Sequence, residues 1–136
     1  ELYGDIEYKV DPRVDDTSTD LLGVVSERDI IVDQNAHSRG AGSQDLTLHG
    51  SFMALGDSFI VENYSAGSYR GDLDLLGGII QKTRGAVGTF SRYGLTGYSK
   101  KYDYDVRLGN SIPPNFPRES VFTVVSWKER VVQNDY

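Results

Sequence analysis

The residues with the clearest capacity for chemistry are the cations and tyrosines that alternate between positions 82 and 107. The stretch contains Lys82, Arg84, Arg92, Lys100, Lys101 and Arg107, interleaved with Tyr93, Tyr98, Tyr102 and Tyr104. Cations neutralise phosphates, and aromatic faces stack on bases or sugars. The candidate binding residues for DNA or a glycan are therefore Arg84, Tyr98, Lys100, Lys101, Tyr102 and Arg107.

A structural interpretation of the same segment is the favoured one. Tyr102 and Tyr104 are two residues apart and would share one face of a strand, where they form an aromatic ladder or pack under a proline-rich segment. Asp103 and Asp105 lie in the same stretch and reduce its net positive charge. The lysines and arginines would then serve mainly to keep the surface soluble.

Two pairs of carboxylates have the spacing of a strand face: Asp72 with Asp74, and Asp103 with Asp105. Like charges on one face repel unless a cation separates them, which suits calcium. Carbohydrate-active enzymes also use such pairs as acid and base. Arg107 and nearby lysines could balance the second pair without a metal, so solvated strand faces are the favoured interpretation.

Familiar catalytic motifs do not occur in the sequence. His37 and His49 lie in no HExxH pattern, and neither is three or four residues from another histidine. The chain has no cysteine, which excludes disulfides, thiol nucleophiles and thiolate metal sites. A nucleophile elbow, a Walker A loop and a dinucleotide fingerprint are also absent. We therefore predict a protein that is not an enzyme and that has no cofactor and no metal.

Charge is distributed unevenly along the chain. The net charge of −6 argues against tight non-specific binding to nucleic acid or anionic lipid. Residues 1–75 carry 15 acidic and 5 basic side chains, whereas residues 76–136 carry 5 and 9, so the two parts have net charges of −10 and +4. This difference is either chance or the mark of a dipolar molecule that stacks end to end or offers a basic face to an acidic partner.

No run of apolar residues is long enough for a membrane helix, and Glu1 does not begin a signal-peptide pattern. We therefore expect either an exported chain whose leader was removed or an excised ectodomain. The expected location is extracellular.

An internal repeat organises the chain. Gly23, Gly50 and Gly77 are each followed by apolar residues at a spacing of 27, and each follows a leucine-rich step. One further period from Ile79 reaches Val106, which would mark a fourth, degraded copy. Short strands that recur at a fixed period and expose one apolar face must stack on their neighbours to bury it.

The repeat predicts an all-β fold, specifically a right-handed β-solenoid of three to four coils with a C-terminal capping strand; a β-sandwich is the alternative. We expect one solenoid-like ectodomain module over residues 1–136. Within it, residues 1–20 form an acidic strand and loop, residues 21–108 form the repeats, and residues 109–136 form a proline-rich strap and a closing strand over 121–127.

The runs at residues 77–90, 97–108 and 113–117, together with 22–30 and 125–129, resemble bacterial surface proteins of the PilX pilus-assembly type, which are related to minor pilins. The resemblance covers about residues 21–130. It implies an exported protein, tethered by an N-terminal pilin-like helix that this chain lacks, with a solenoid-like ectodomain. Some related minor pilins are thought to engage DNA or surfaces, and the resemblance implies no catalytic residues.

The predicted function is that of a non-catalytic structural or adhesive module in an exported, pilus-associated bacterial surface protein. Its expected partners are other pilus or surface subunits, with end-to-end self-association as a further option. The alternative is a pilus-tip domain that recognises DNA or a glycan through the basic, tyrosine-rich face. A carbohydrate-active enzyme ranks third.

Overall fold

The computed structural model describes residues 1–39 and 44–117, with the side chains of residues 38 and 39 left out of the description. Its seven strands are β1 (Gly23–Ser26), β2 (Ile30–Val32), β3 (Leu46–Ala54), β4 (Phe59–Val61), β5 (Tyr69–Gln81), β6 (Gly88–Ser91) and β7 (Gly94–Tyr104). Two short 3₁₀ helices span Ala36–Arg39 and Val106–Gly109. These elements form a five-stranded sheet in the order β1-β3-β5-β7-β6 and a two-stranded sheet of β2 and β4.

The 27-residue repeat is confirmed in the register of the larger sheet. Gly50 lies opposite Gly77, and Leu46 lies opposite Leu73, which in turn lies opposite Lys100. Alternating apolar and polar residues give β3 and β5 one face for the core and one for the outside. The first repeat is offset by one residue, because Gly23 pairs with Ser51 rather than with the next repeat glycine.

The prediction of a right-handed β-solenoid of three to four coils is wrong. The larger sheet is open and mixed: β1, β3, β5 and β7 run parallel, but β6 pairs antiparallel with β7. The physical reason is that the chain turns back between Ser91 and Gly94, so the parallel series ends in a hairpin. Val106, the predicted centre of a fourth copy, lies in a 3₁₀ helix. A hairpin-built β-sandwich does not describe the fold either, since four of the five strand pairings are parallel.

The ends of the predicted module differ in what the structure describes. Residues 1–8 contribute two isolated parallel bridges, Leu2 with Val32 and Ile6 with Leu48. Residues 111–117 form neither helix nor strand, and the ring of Phe116 packs against the backbone of Gly23. The predicted capping strand at 121–127 lies outside the described residues.

The core lies between the two sheets. The rings of Phe52 on β3 and Phe59 on β4 meet edge to face, with centroids 5.8 Å apart. Burying each aliphatic side chain in such a core contributes about 1.5–3 kcal/mol. The fully buried members from both sheets are Val32, Leu46, Leu48, Phe52, Phe59, Val61 and Leu73.

Two facing glycines allow β3 and β5 to approach each other where both strands bend. Gly50 has φ +144° and Gly77 has φ +143°, values that side-chain-bearing residues rarely adopt. A Cβ on Gly77 would lie 1.9 Å from the carbonyl oxygen of Gly50. The second and third repeat glycines are therefore required by backbone contact.

We predict that Gly77→Ala destabilises the fold by about 2–4 kcal/mol, because it combines an unfavourable φ with a backbone clash. The matched control is Gly78→Ala, since a Cβ at Gly78 has no heavy atom within 4 Å. We expect the control to stay within about 0.5 kcal/mol of the native protein in urea unfolding followed by circular dichroism. Equal losses for the two variants would contradict the register described above.

Candidate functional site

The parallel register decides which side chains of β7 face the core. Lys100 lies opposite Leu73, and Tyr102 lies opposite Leu75, and both leucines are buried. Because side chains alternate along a strand, Lys100 and Tyr102 share the core side of the sheet, at the edge of the leucine layer. Lys101 lies on the opposite face. Two neighbouring lysines are thus separated by the thickness of the sheet.

Among the described residues, the outer edge of β7 is only partly covered. β6 pairs with its first part, from Ser91 opposite Gly94 to Gly88 opposite Gly97. Within residues 1–39 and 44–117, no main-chain hydrogen bond reaches residues 99–104 from the side away from β5. An open edge of this kind presents unpaired N–H and C=O groups that can pair with another chain.

Arg84 reaches this edge from the connection between β5 and β6. The side-chain carbonyl of Gln81 accepts hydrogen bonds from the backbone N–H groups of Phe59, at 2.8 Å, and Gly85, at 3.2 Å. Gly85 packs so closely on β4 that a Cβ would lie 1.9 Å from the carbonyl oxygen of Phe59. These contacts fix the connection, so Arg84 is held beside β7.

Arg84 and Lys100 line one groove of about 390 Å³, called here the basic groove. Phe90 stands at this groove with 88% of its surface exposed. Tyr102 lines an adjoining depression that also contains Arg84. The residues of the basic groove are Arg84, Gly88, Thr89, Phe90, Leu95, Tyr98, Ser99 and Lys100.

The electrostatics of the basic groove favour an anion. The residues that the structure describes in its lining include two cations and no carboxylate. Burial, and then the charge of Arg84, lowers the pKa of Lys100. An anion bound between the two cations would relieve this repulsion. Burial also raises the pKa of Tyr102 to about 12, so its hydroxyl remains neutral and can donate a hydrogen bond at physiological pH.

The other predicted binding residues have different positions. Tyr98 is buried at the floor of the basic groove, and its hydroxyl accepts a hydrogen bond of 3.2 Å from the backbone N–H of His37. The Lys101 ammonium lies 3.4 Å from Asp74 on the opposite face. The Arg107 guanidinium binds Asp105 through two nitrogens, at 2.9 and 2.6 Å. The structure therefore brings Arg84, Tyr98, Lys100 and Tyr102 together and separates Lys101 and Arg107 from them.

The carboxylate pairs are engaged by protein groups. Asp74 contacts Arg13 at 3.0 Å, and Asp72 accepts a hydrogen bond of 2.6 Å from the Tyr69 hydroxyl. Asp105 is almost fully buried and forms an ion pair with Arg107, whereas Asp103 is half exposed. Within the part of the chain that the structure describes, no group of three histidine, cysteine or acidic side chains is arranged to hold a metal ion.

A polar cluster that the sequence did not indicate lies on the outer face of β3. His49 is buried; its Nδ1 accepts a hydrogen bond of 3.1 Å from the backbone N–H of Tyr8, and its Nε2 lies 3.2 Å from an Arg13 nitrogen. The Asp11 carboxylate is 4.0 Å from the same Nε2. These contacts fasten residues 8–13 to the sheet. The one sequence signal was the polar histidine beside a repeat glycine.

A second groove, of about 610 Å³, lies between β5 and residues 111–117. Its lining includes Ile80, Tyr104, Ile112 and Phe116, and none of its described lining residues is charged. Ile80 is half exposed, and its neighbours Met53 on β3 and Ile79 on β5 are only partly buried. Sequence periodicity places this residue in a strand but does not reveal the groove.

The chain matches no protein-family model, and no curated protein or solved structure is significantly similar to it. Among the described residues, no helix has the length and apolar character needed to cross a membrane. The resemblance to PilX-type surface proteins therefore stays a prediction.

His49 leads to a prediction about pH. Burial lowers the pKa of His49 below its ordinary value of about 6.5. The unfolded chain then takes up a proton that the folded protein resists, so stability is lost as pH falls below about 6.5. We expect His49→Gln to flatten the dependence of unfolding free energy on pH between about 7 and 5, measured by urea unfolding. An unchanged slope would contradict the buried, neutral state of His49.

Proposed function

We propose that this chain is a non-catalytic adhesive module of an exported bacterial surface protein, and that it binds a polyanion in the basic groove. The observation that carries the proposal is the position of Arg84 and Lys100 in one groove without a carboxylate. Exposed Phe90 provides an aromatic face at the same place.

The chemistry of such binding is that of charge neutralisation and stacking. Arg84 and Lys100 would each neutralise one anionic group, and the counterions released from the polymer make the affinity depend on salt. Phe90 and Tyr102 would pack against bases or sugar rings, contacts that tolerate many sequences because every base has an aromatic face. The module would therefore hold a chain-like ligand with little sequence preference.

The groove lining supports binding rather than catalysis. Its described lining residues include no carboxylate or histidine to serve as a general base. The Asp72, Asp74 and Asp105 carboxylates already accept hydrogen bonds from tyrosine, arginine or lysine side chains of the same chain. A carbohydrate-active enzyme is therefore not favoured.

The assignment to an exported, pilus-associated protein rests on the resemblance at residues 21–130. Its cysteine-free sequence is compatible with export. In this setting, the partners would be other pilus or surface subunits, and the polyanion would be either a nucleic acid or an acidic glycan. Both ligands share the chemistry that the basic groove offers.

The test compares two neighbouring lysines on opposite faces of the sheet. Binding of labelled oligodeoxythymidylate, duplex DNA and a sulfated polysaccharide is measured by fluorescence anisotropy over a range of salt concentrations. We expect Lys100→Gln to weaken binding and to lower the logarithmic salt slope by about one. Lys101→Gln is the matched control and should leave both quantities unchanged, because its ammonium faces Asp74.

Arg84→Gln should weaken binding in the same way as Lys100→Gln. Preference for one probe over the others would identify the ligand class. Equal losses in the Lys100 and Lys101 variants, or no binding of any probe at low salt, would refute the proposed function.

A further inference from the structure

The larger sheet has two ends of different character. At one end, residues 99–104 of β7 pair with β5 on one side and have no main-chain partner on the other within the described chain. At the other end, Ile6 pairs with Leu48 of β3. The Ile6 N–H donates to the Thr47 oxygen at 2.9 Å, and the Ile6 oxygen accepts from the His49 N–H at 2.7 Å.

Ile6 therefore uses its main-chain groups for β3, and among the described residues no main-chain hydrogen bond reaches its neighbours Asp5 and Glu7. In a parallel pair, the groups of one residue point to the partner strand and those of its neighbours point away. Since Ile6 points to β3, the N–H and C=O groups of Asp5 and Glu7 point away from it. This outward edge can pair with another strand in the same parallel direction.

The register shows how two copies would meet. One row of register partners, called here a column, crosses the sheet from strand to strand: Ile6, Leu48, Leu75 and Tyr102. No described residue pairs at the next place in that column, beside Tyr102. Ile6 of a second copy placed there would pack on the Tyr102 ring and continue the apolar layer.

Charge at the neighbouring positions is complementary. Alignment of Ile6 with Tyr102 places Asp5 opposite Lys101; the Asp5 carboxylate also accepts a hydrogen bond of 2.8 Å from the Thr47 N–H of its own chain. It also places Gly4 opposite Lys100, and the absence of a side chain at Gly4 leaves that lysine room. Opposite charges across a strand pair stabilise it.

The next pair in this register, Glu7 and Asp103, has like charges. The Arg13 guanidinium lies 3.4 Å from Asp103 and supplies a cation at that point. The wider distribution of charge agrees with the pairing. Residues 1–20 contain seven acidic and two basic side chains, whereas residues 82–101 contain five basic and no acidic ones.

We propose that the open edge of β7 receives residues 4–7 of a second copy as a parallel strand, so that copies associate head to tail. The two surfaces are different parts of the same chain, so the contact is heterologous and can repeat without closing. Lysines on an edge strand oppose unspecific aggregation, which makes this pairing depend on an acidic partner strand. The inference goes beyond the proposed function, because it requires no polyanion.

The experiment is a charge reversal across the proposed contact, followed by sedimentation velocity over a range of protein concentrations at low and high salt. Asp5→Lys and Lys101→Glu should each weaken association by about tenfold, since either one turns an attractive cross-strand pair into a repulsive one. The double variant Asp5→Lys/Lys101→Glu restores the pair with reversed polarity and should regain most of the lost affinity. Lys82→Glu controls for the change in net charge, because Lys82 lies outside β7.

Monomeric native protein at every concentration and salt would overturn the inference. So would association that ignores both charge reversals, or a double variant as weak as the singles. Oligodeoxythymidylate binding by the Lys101→Glu variant separates this result from the proposed function, since that binding depends on Lys100 and Arg84. In the Lys101→Glu variant, loss of association with retained polyanion binding would support both proposals. Native protein that associates but binds no polyanion would contradict the proposed function alone.

Discussion

The close contact between the backbones of Gly50 and Gly77 is the constraint on which the rest of the structure depends. Only residues without a Cβ allow the two strands to bend together at this separation. The contact fixes the register of β3 against β5, and a slip of one residue would turn every leucine of the core outward. The position of β7, which pairs with β5, follows from the same register.

The function proposed for β7 follows from what replaces leucine there. In the column of Leu46 and Leu73, the last position is occupied by Lys100, and in the column of Leu48 and Leu75 it is occupied by Tyr102. A cation and an aromatic ring thus stand where the apolar layer ends. Arg84 adds a second cation, so the edge offers positive charge beside the Tyr102 ring. A polyanion and a second copy would both approach β7 here, so each would hinder the other.

Part of this architecture could be predicted from the sequence. The spacing of Gly50 and Gly77 and the flanking leucines were sufficient to predict strands that recur every 27 residues, and the register confirms it. The prediction of solenoid coils was wrong because the turn between β6 and β7 gives no strong hairpin signal. Its two central residues are Arg92 and Tyr93, whereas tight hairpins usually have asparagine or glycine there.

The candidate site could be predicted only in outline. Composition indicated a basic, tyrosine-rich segment. It could not show that Lys100 and Lys101 lie on opposite faces of the sheet, because this depends on which side chains of β7 point to the core. The sequence did offer Arg107 as a counter-charge for the second carboxylate pair, and the structure shows Arg107 bound to Asp105 where the chain leaves β7. Phe90 was missed because its exposure depends on the hairpin.

Hydrogen exchange of individual amides, followed by NMR, can test whether the outer edge of β7 is open and receives a partner. In dilute monomer, residues 99–104 should alternate between slow exchange, where the N–H points to β5, and fast exchange, where it points outward. On association at high protein concentration, the fast amides should become protected. Uniform protection in the dilute monomer, or fast amides that stay fast in the associated protein, would contradict the account.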